Sequence, residues 1–375
     1  MTIYDSAFDL VLSRIEPDRA HQISMQALRA ITCRPRLRNT LRRLTTVDDS
    51  LIRVDALGQS FPSPLGVAAG LDKDARYVSG LGALGFGFVE TGTLTPLPQP
   101  ANPGPVLARI PEDRALLNRM GFPNQGAEAA ARRLGTQRRE TVTGVNIGKN
   151  RDTALEHAPG DYAAAAHILA PLADYLVLNV SSPNTEGLRS LQAAAQLREL
   201  TGAVQAELRR SAAGQQPPLL VKISPDLSDE ELDSVAELAL ELGIAGIIAT
   251  NTTVSRECLS QTGQATAAHA WAESGGLSGA PLRARSLEVL RHLYGRVGQQ
   301  LVLISAGGVM SADDVWERIL AGATLVQAYT GFVYGGPGWP RRVNLDLAGR
   351  VFDAGAESIM ELVGSSAPDR PGALT

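Results

Sequence analysis

Eight short runs rich in Val, Ile, Leu and Ala, spaced along one chain, constrain the fold more than any other feature. They read PLGVAAG (64–70), GFVETGT (87–93), TGVNIGKN (143–150), DYLVLNVS (174–181), LLVKISP (219–225), AGIIATNTT (245–253), LVLISAGGV (301–309) and TLVQAYTGF (324–332). Stretches of helical period, such as 191–208 and 229–242, separate most of them. Ser228 and Glu231 carry a capping-box signature at the head of the second. Continuous apolar strands alternating with amphipathic helices predict parallel pairing with both sheet faces covered. Eight such units fit an α/β fold of the (β/α)8 TIM-barrel type, with an open doubly wound sheet as the alternative. A chain of 375 residues holds one such barrel and extensions at its ends.

The polar residues favour the barrel. Each run is apolar up to its C-terminal end and there meets a reactive or small residue. In order these are Gly70 and Lys73, Thr93, Asn146, Asn179, Lys222, Thr250 and Asn251, Gly307 and Gly308, then Tyr329 and Thr330. Parallel strands put all those ends on one rim, where barrel enzymes hold their chemistry. A GxGxxG match at Gly80, Gly82 and Gly85 lies in a helix-to-strand approach, not after a strand, so close packing explains it better than a dinucleotide fingerprint.

Outside the barrel, residues 1–45 form an expected helical extension, residues 46–352 the barrel, and 353–375 a helix end and flexible tail, with SSAPDRPGALT frayed. Ile3, Ala7, Phe8, Val11, Leu12 and Ile15 share one helical face, and Ile23, Ala27, Leu28 and Ile31 another. Between 29 and 43 the charged residues are Arg29, Arg34, Arg36, Arg38, Arg42 and Arg43, with no acid. Two amphipathic helices followed by a basic run suit an anionic membrane surface, and equally a lid packed on the barrel.

Composition narrows the partners. A 44% hydrophobic and 20% charged chain is globular, and a net charge of −4 argues against a general nucleic-acid binder. Cys33 and Cys258 are far apart and without CxxC spacing, which fits a reducing compartment. No apolar run reaches membrane-spanning length, and the N-terminus lacks the basic region of a secretory signal, so the sequons at Asn179 and Asn251 carry no weight and a cytoplasmic location is expected.

Three features of the rim speak to chemistry. Gly307 and Gly308 after the seventh run, with Tyr329, Thr330 and Gly331 after the eighth, stand where barrels commonly cradle phosphate on bare backbone N–H groups. Lys222, mid-strand among apolar residues, reads as a Schiff-base amine, a fixed cation beside an electron-rich ring, or a core ion pair. Asn118, Asn146, Asn179, Asn184 and Asn251 offer paired donors and acceptors suited to flat heterocycles, and Lys73 suits a carboxylate. Metal chemistry is poorly supported, because His21, His157, His167, His269 and His292 are dispersed.

Ten motifs then carry a resemblance. AAGLDKD, ETGTLTPLPQP, NRMGF, NIGKN, NVSSPNTEGLR, VKISPDLS, ATNTT, GGLSGAPL, SAGGV and VQAYTGF, in order over residues 17–332, resemble the flavin-dependent dihydroorotate dehydrogenases, and within them the membrane-associated, quinone-reducing class 2. The resemblance implies oxidation of dihydroorotate to orotate in pyrimidine biosynthesis, with FMN accepting hydride and a membrane quinone as final acceptor. It implies FMN contacts at Ala69, Gly70, Lys73, Thr93, Asn146, Asn179, Lys222, Thr250, Gly279, Gly308, Tyr329 and Thr330. Substrate contacts would fall at Lys73, Asn118, Arg119, Met120, Gly121, Phe122, Asn179, Asn184, Asn251 and Thr252. Ser182 matches the catalytic base, and Lys222 becomes the cation facing the reduced flavin, which leaves the aldolase reading a minor alternative.

The stretch YLVLNVSSPNTEGL (175–188) would then mount Ser182 opposite the flavin, with Pro183 stiffening the turn, Thr185 as a candidate proton relay and Ser181 as a turn hydroxyl on backbone. The soluble class 1 enzymes place a cysteine where Ser182 stands and lack the N-terminal extension. In class 2 that extension covers an apolar tunnel, and His21 and Arg109 match its lining. Peripheral association with the cytoplasmic side of the cell membrane follows as an expectation. Thr330 and Ala306 are conservative departures, and the tail past Phe352 is longer than expected.

Overall fold

The computed structural model describes residue 4 and residues 14–137, 140–211, 216–271 and 275–366. In chain order its strands are β1 (Val54–Ala56), β2 (Gln59–Phe61), β3 (Leu65–Val67), β4 (Phe88–Leu94), β5 (Leu107–Ile110), β6 (Ala115–Asn118) and β7 (Val142–Ile147). They continue with β8 (Tyr175–Asn179), β9 (Leu219–Ile223), β10 (Gly246–Ala249), β11 (Gly276–Gly279), β12 (Val302–Ala306) and β13 (Leu325–Ala328). Eight of them close in parallel, β3-β4-β7-β8-β9-β10-β12-β13 and back to β3. Each apolar run supplies one of these strands. All residues of β4, β8 and β9 are buried, which is why they read as continuous rather than alternating. The open-sheet alternative is excluded.

Inside the barrel, Phe61, Phe88 and Tyr175 stack edge to face, with ring centroids 5.3 and 6.4 Å apart. Gly66 and Gly144 make room, since a Cβ at either would overlap the Phe88 or Tyr175 ring. The β1–β2 hairpin carries Phe61 into this plug. The sequence reading did not anticipate the antiparallel sheet β5–β6–β11, whose members are four residues each and carry no alternation.

Among the described residues two α-helices precede the barrel, α1 (Pro17–Thr32) and α2 (Pro35–Thr45), each with proline in its first turn. Ala20, Met25 and Thr32 of α1 are buried. A Cβ on Gly80 would stand 3.0 Å from Leu28 and 3.1 Å from Thr32, and the Thr45 hydroxyl donates to the Ala83 carbonyl. Gly80 and Gly85 thus seat α1 and α2 against helix Val78–Ala83, while Gly82 packs on Thr141. The opposite face is bare: Ile23 is 49% exposed, Ile31 44%, Leu37 44% and Leu44 68%. Ile3, Ala7, Phe8, Val11 and Leu12 lie outside the described residues. Among the described residues no helix is long and apolar enough to cross a membrane.

At the other end, Ser228 and Glu231 form the capping box expected of them. Residues past helix Trp339–Asp353 are docked rather than frayed as far as they are described. Ile359 is fully buried, and the Ser366 N–H and hydroxyl both donate to Leu320 O. Residues 367–375 lie outside the described residues.

Candidate active site

The ends of seven of the eight barrel strands line one cavity, and β7 contributes from beneath it through Asn146. Lining it are Ala69, Gly70, Lys73, Thr93, Asn179, Lys222, Thr250, Gly279, Gly308, Tyr329 and Thr330, together with Asn118, Met120, Gly121, Phe122, Ser182, Asn184, Asn251 and Thr252. Two sequence-predicted residues stand apart. Asn146 is fully buried one layer below the cavity. Arg119 turns its guanidinium to the Pro103 and Pro105 carbonyls, away from the cavity, because its neighbours Asn118 and Met120 take the inward positions.

A chain of hydrogen bonds forms the floor. Asn251 Nδ2 donates to Asn179 Oδ1 at 3.3 Å, Asn179 Nδ2 to Thr93 Oγ1 at 2.7 Å, and Thr93 Oγ1 to Asn146 Oδ1 at 2.6 Å. Asn146 Nδ2 then donates to Glu90 Oε1 at 2.8 Å, and Gln327 Nε2 reaches the other Glu90 oxygen. Strict alternation along β4 would turn Thr93 outward from the barrel. A register shift between Thr91 and Leu94 turns it in. Lys222 Nζ lies 3.8 Å from Glu90 Oε1, with both side chains buried. Sequence reasoning missed Glu90 and Gln327. The available signal was strand parity, since Glu90 shares the inward face with Phe88, and a lone acid there needs a buried partner.

The Ser182 loop leaves β8 directly. Ser182 is 5% exposed and its Oγ accepts the Asn184 N–H at 3.2 Å. Asn184 Nδ2 donates to Asn118 Oδ1 at 2.9 Å, tying this loop to β6. Ser181 differs from expectation: its hydroxyl donates to Asn179 Oδ1 at 3.2 Å and accepts from Asn251 Nδ2 at 3.0 Å, because it faces the carboxamides rather than the turn backbone. Thr185 Oγ1 is buried with no hydrogen-bond partner. The facing segment is pinned from behind. Gln99 Nε2 donates to the Gly121 carbonyl at 2.9 Å, and Asn124 Nδ2 to the Phe122 carbonyl at 2.9 Å. Phe122 itself is held at φ 57, a strained conformation for a bulky residue.

The glycine end is braced from beneath. Buried Arg318 donates to the Gly307 carbonyl at 2.7 Å, and the Ser286 hydroxyl donates to it at 2.8 Å. With that carbonyl tied back, the backbone N–H groups beside it are free for an anion. Ser278 Oγ and Thr330 Oγ1 pair at 2.9 Å alongside. On the other side Asp72, fully buried, accepts the Arg76 and Tyr77 N–H groups at 2.8 and 2.7 Å and fixes the loop bearing Lys73. Lys73 Nζ donates to the Gly70 carbonyl at 2.7 Å, and burial lowers its pKa against the pull of Asp18.

A second cavity, about 480 Å3 and largely apolar, lies between α1, α2 and the barrel. Its volume is within the roughly 300–1,000 Å3 of small-molecule sites. His21 and Arg109 both line it, with Ala20, Met25 and Leu28. Arg109 Nη1 donates to the Ile15 carbonyl at 2.7 Å. Burial, and then the Lys73 charge, lowers the His21 pKa to about 4, so this histidine is neutral near pH 7. Leu107, Leu116 and Tyr329 border both cavities. Among the described residues no group of His, Cys, Asp and Glu is placed to hold a metal ion.

A barrel rim that combines an anion-ready glycine loop, a buried lysine and a tier of carboxamides, backed by an apolar chamber, defines a barrel oxidoreductase handling a flat polar ring. The family model for dihydroorotate dehydrogenase matches residues 51–351, and the chain belongs to that family. It is 52% identical over 357 residues to the dihydroorotate dehydrogenase (quinone) of Rhodococcus opacus (strain B4), covering 95% of this chain and 98% of the relative. It is 50% identical over 361 residues to the protein of that name from Mycobacterium tuberculosis (strain ATCC 25618 / H37Rv), covering 96% and 98%. Among solved structures, that of DHODH in complex with ferulenol from Eimeria tenella aligns with a TM-score of 0.84 at 36% identity, over 94% of this chain and 96% of that one. The family implies a flavin cofactor.

Proposed function

We propose that this chain oxidises dihydroorotate to orotate with FMN as its flavin and passes the electrons to a membrane quinone, docking peripherally on the cytoplasmic face of the cell membrane through its N-terminal helices. The observation carrying this reading is one cavity that unites Ser182, Lys222 and the carboxamides of Asn118, Asn184 and Asn251, with an apolar chamber against its wall.

The residues fit FMN. Lys222 makes no hydrogen bond among the described residues, so it has bonding capacity to spare toward the cavity it lines. Gly279, Gly308, Tyr329 and Thr330 would take the phosphate, with Ala69, Gly70, Thr93, Asn179 and Thr250 around the ring. Asn146 would act from below, by orienting Thr93. The flavin, when bound, supplies a two-electron acceptor for hydride. Lys222 would hold the negative charge that collects beside it, an electrostatic role for a fixed group.

Removal of two hydrogens from adjacent ring carbons leaves one proton for the protein. Ser182 Oγ would receive it. Its acceptance of the Asn184 N–H stabilises charge on that oxygen, and the unpartnered Thr185 hydroxyl on the same loop is the next station. Lys73 would meet the substrate carboxylate. Asn118, Asn184, Asn251 and Thr252, with the backbone of Met120, Gly121 and Phe122, would frame the ring, and Arg119 would serve by holding its own loop. On the far side of Leu107, Leu116 and Tyr329, neutral His21 and Arg109 suit an uncharged acceptor that carries carbonyl oxygens.

The test is direct. Purified protein should be yellow, contain FMN on extraction, and bleach on anaerobic addition of dihydroorotate. A colourless protein that borohydride traps covalently with substrate would instead make Lys222 a Schiff-base amine.

A further inference from the structure

A third cavity, of about 380 Å3, sits on the other side of α1, where the α1–α2 corner meets the loop after β3 and helix Ala127–Thr136. Four arginines line it: Arg29 and Arg38 from the N-terminal helices, Arg76 and Arg133 from the barrel. The nearby carboxylates are too few. Asp74 is shared between Arg76 at 3.4 Å and Arg133 at 3.8 Å, and Glu140 between Arg38 at 3.4 Å and Arg42 at 3.1 Å. Arg29 has no carboxylate partner among the described residues. Arg38 Nε is buried with no hydrogen bond, although its side chain is only 11% exposed. Arg133 is held further by the Asp74 carbonyl at 2.9 Å and by Gln125, so the donors left over are those of Arg29 and Arg38 Nε, and guanidinium donors of this kind match a tetrahedral oxyanion.

We propose that this cavity is a binding site for a phosphate-bearing anion, a lipid headgroup or a soluble phosphate. Arg133 gives independent support: burial first and the adjacent Arg76 cation second lower its pKa, a repulsion that a bound anion relieves. Two exposed apolar side chains, Ile31 and Leu37, are the chain neighbours of the lining residues Thr32 and Arg38. Leu37 would offer an acyl chain an apolar contact on the helix that carries Arg38, whereas Ile31 lines the apolar chamber. The lipid source rests on the peripheral docking proposed above, whereas the anion site itself does not.

The chain's two cysteines provide the readout. Cys33 lines this cavity and Cys258 does not, and both are exposed. Flavin-loaded full-length enzyme is alkylated with N-ethylmaleimide in chloride, in inorganic phosphate at matched ionic strength, and with vesicles of phosphatidylcholine or of phosphatidylglycerol. Each cysteine is then followed by peptide mass spectrometry. Phosphate or phosphatidylglycerol is expected to slow Cys33 at least threefold relative to chloride or phosphatidylcholine and to leave Cys258 unchanged. Protection by phosphate alone assigns a soluble ligand, and by phosphatidylglycerol alone a headgroup. Arg38→Gln/Arg76→Gln should remove the protection, while Arg36→Gln/Arg43→Gln, which takes two charges from outside the cavity, should retain the protection given by inorganic phosphate.

Equal labelling of Cys33 under all four conditions overturns the site, as does loss of phosphate protection in both double variants. If the first double variant loses its flavin, the unmutated protein still decides. Failure to bind any vesicle removes membrane docking and leaves the phosphate arm to judge the cavity.

Discussion

Lys222 Nζ and Glu90 Oε1 stand 3.8 Å apart within the barrel, Glu90 fully buried and Lys222 open only toward the cavity. Glu90 also receives Asn146 and Gln327, so a single carboxylate anchors the polar tier under the cavity. Glu90→Leu should destabilise the protein by about 3–5 kcal/mol, because it strands a buried cation. Urea unfolding monitored by fluorescence would show this, and an unchanged midpoint would refute the anchoring role.

Ser182→Ala should retain bound FMN and lose about 10²–10⁴-fold in the rate of flavin reduction, the usual worth of a general base. That corresponds to roughly 3–5 kcal/mol of barrier. Anaerobic rapid mixing with dihydroorotate measures it, and near-normal reduction would remove Ser182 from its assigned place.

Ala20 is 6% exposed and lines the apolar chamber. Ala20→Phe should fill part of that chamber and lower quinone-linked turnover at least tenfold, while single-turnover bleaching by dihydroorotate stays within about twofold. Equal loss in both assays would mean the chamber is not the acceptor's route.

His21 carries a pH signature. Burial holds its folded pKa at about 4, below the 6.5 of an ordinary imidazole. The unfolded chain therefore binds the proton more readily. Stability from this group is complete above pH 6.5 and declines as pH falls toward 4, by up to about 3 kcal/mol. His21→Gln should lose less stability than the wild type across that window. Parallel melting curves for the two proteins would show that His21 is not buried neutral.

The barrel was legible because parallel strands covered on both faces must be apolar throughout, and only their ends are free to be polar. That rule located the ends at Asn179, Lys222, Asn251 and Gly308, the run of carboxamides added Asn184, and family resemblance gave Ser182 its role. It could not reveal Glu90, Gln327 or Arg318, since a lone polar residue inside a strand or helix has no local pattern and its partners lie far along the chain. Glu90 meets Gln327 across 237 positions. Arg119 shows the opposite failure: a motif carried its number to the site, but only the fold decides where its side chain turns. The short strands of β5–β6–β11 left no periodicity to read.

The border formed by Leu107, Leu116 and Tyr329 has a kinetic meaning. If the two cavities take the roles proposed above, a water-borne acid and an oily acceptor would sit on opposite sides of one thin partition. Neither would have to wait for the other to vacate its place, and the protein would work as a relay between two phases that do not mix.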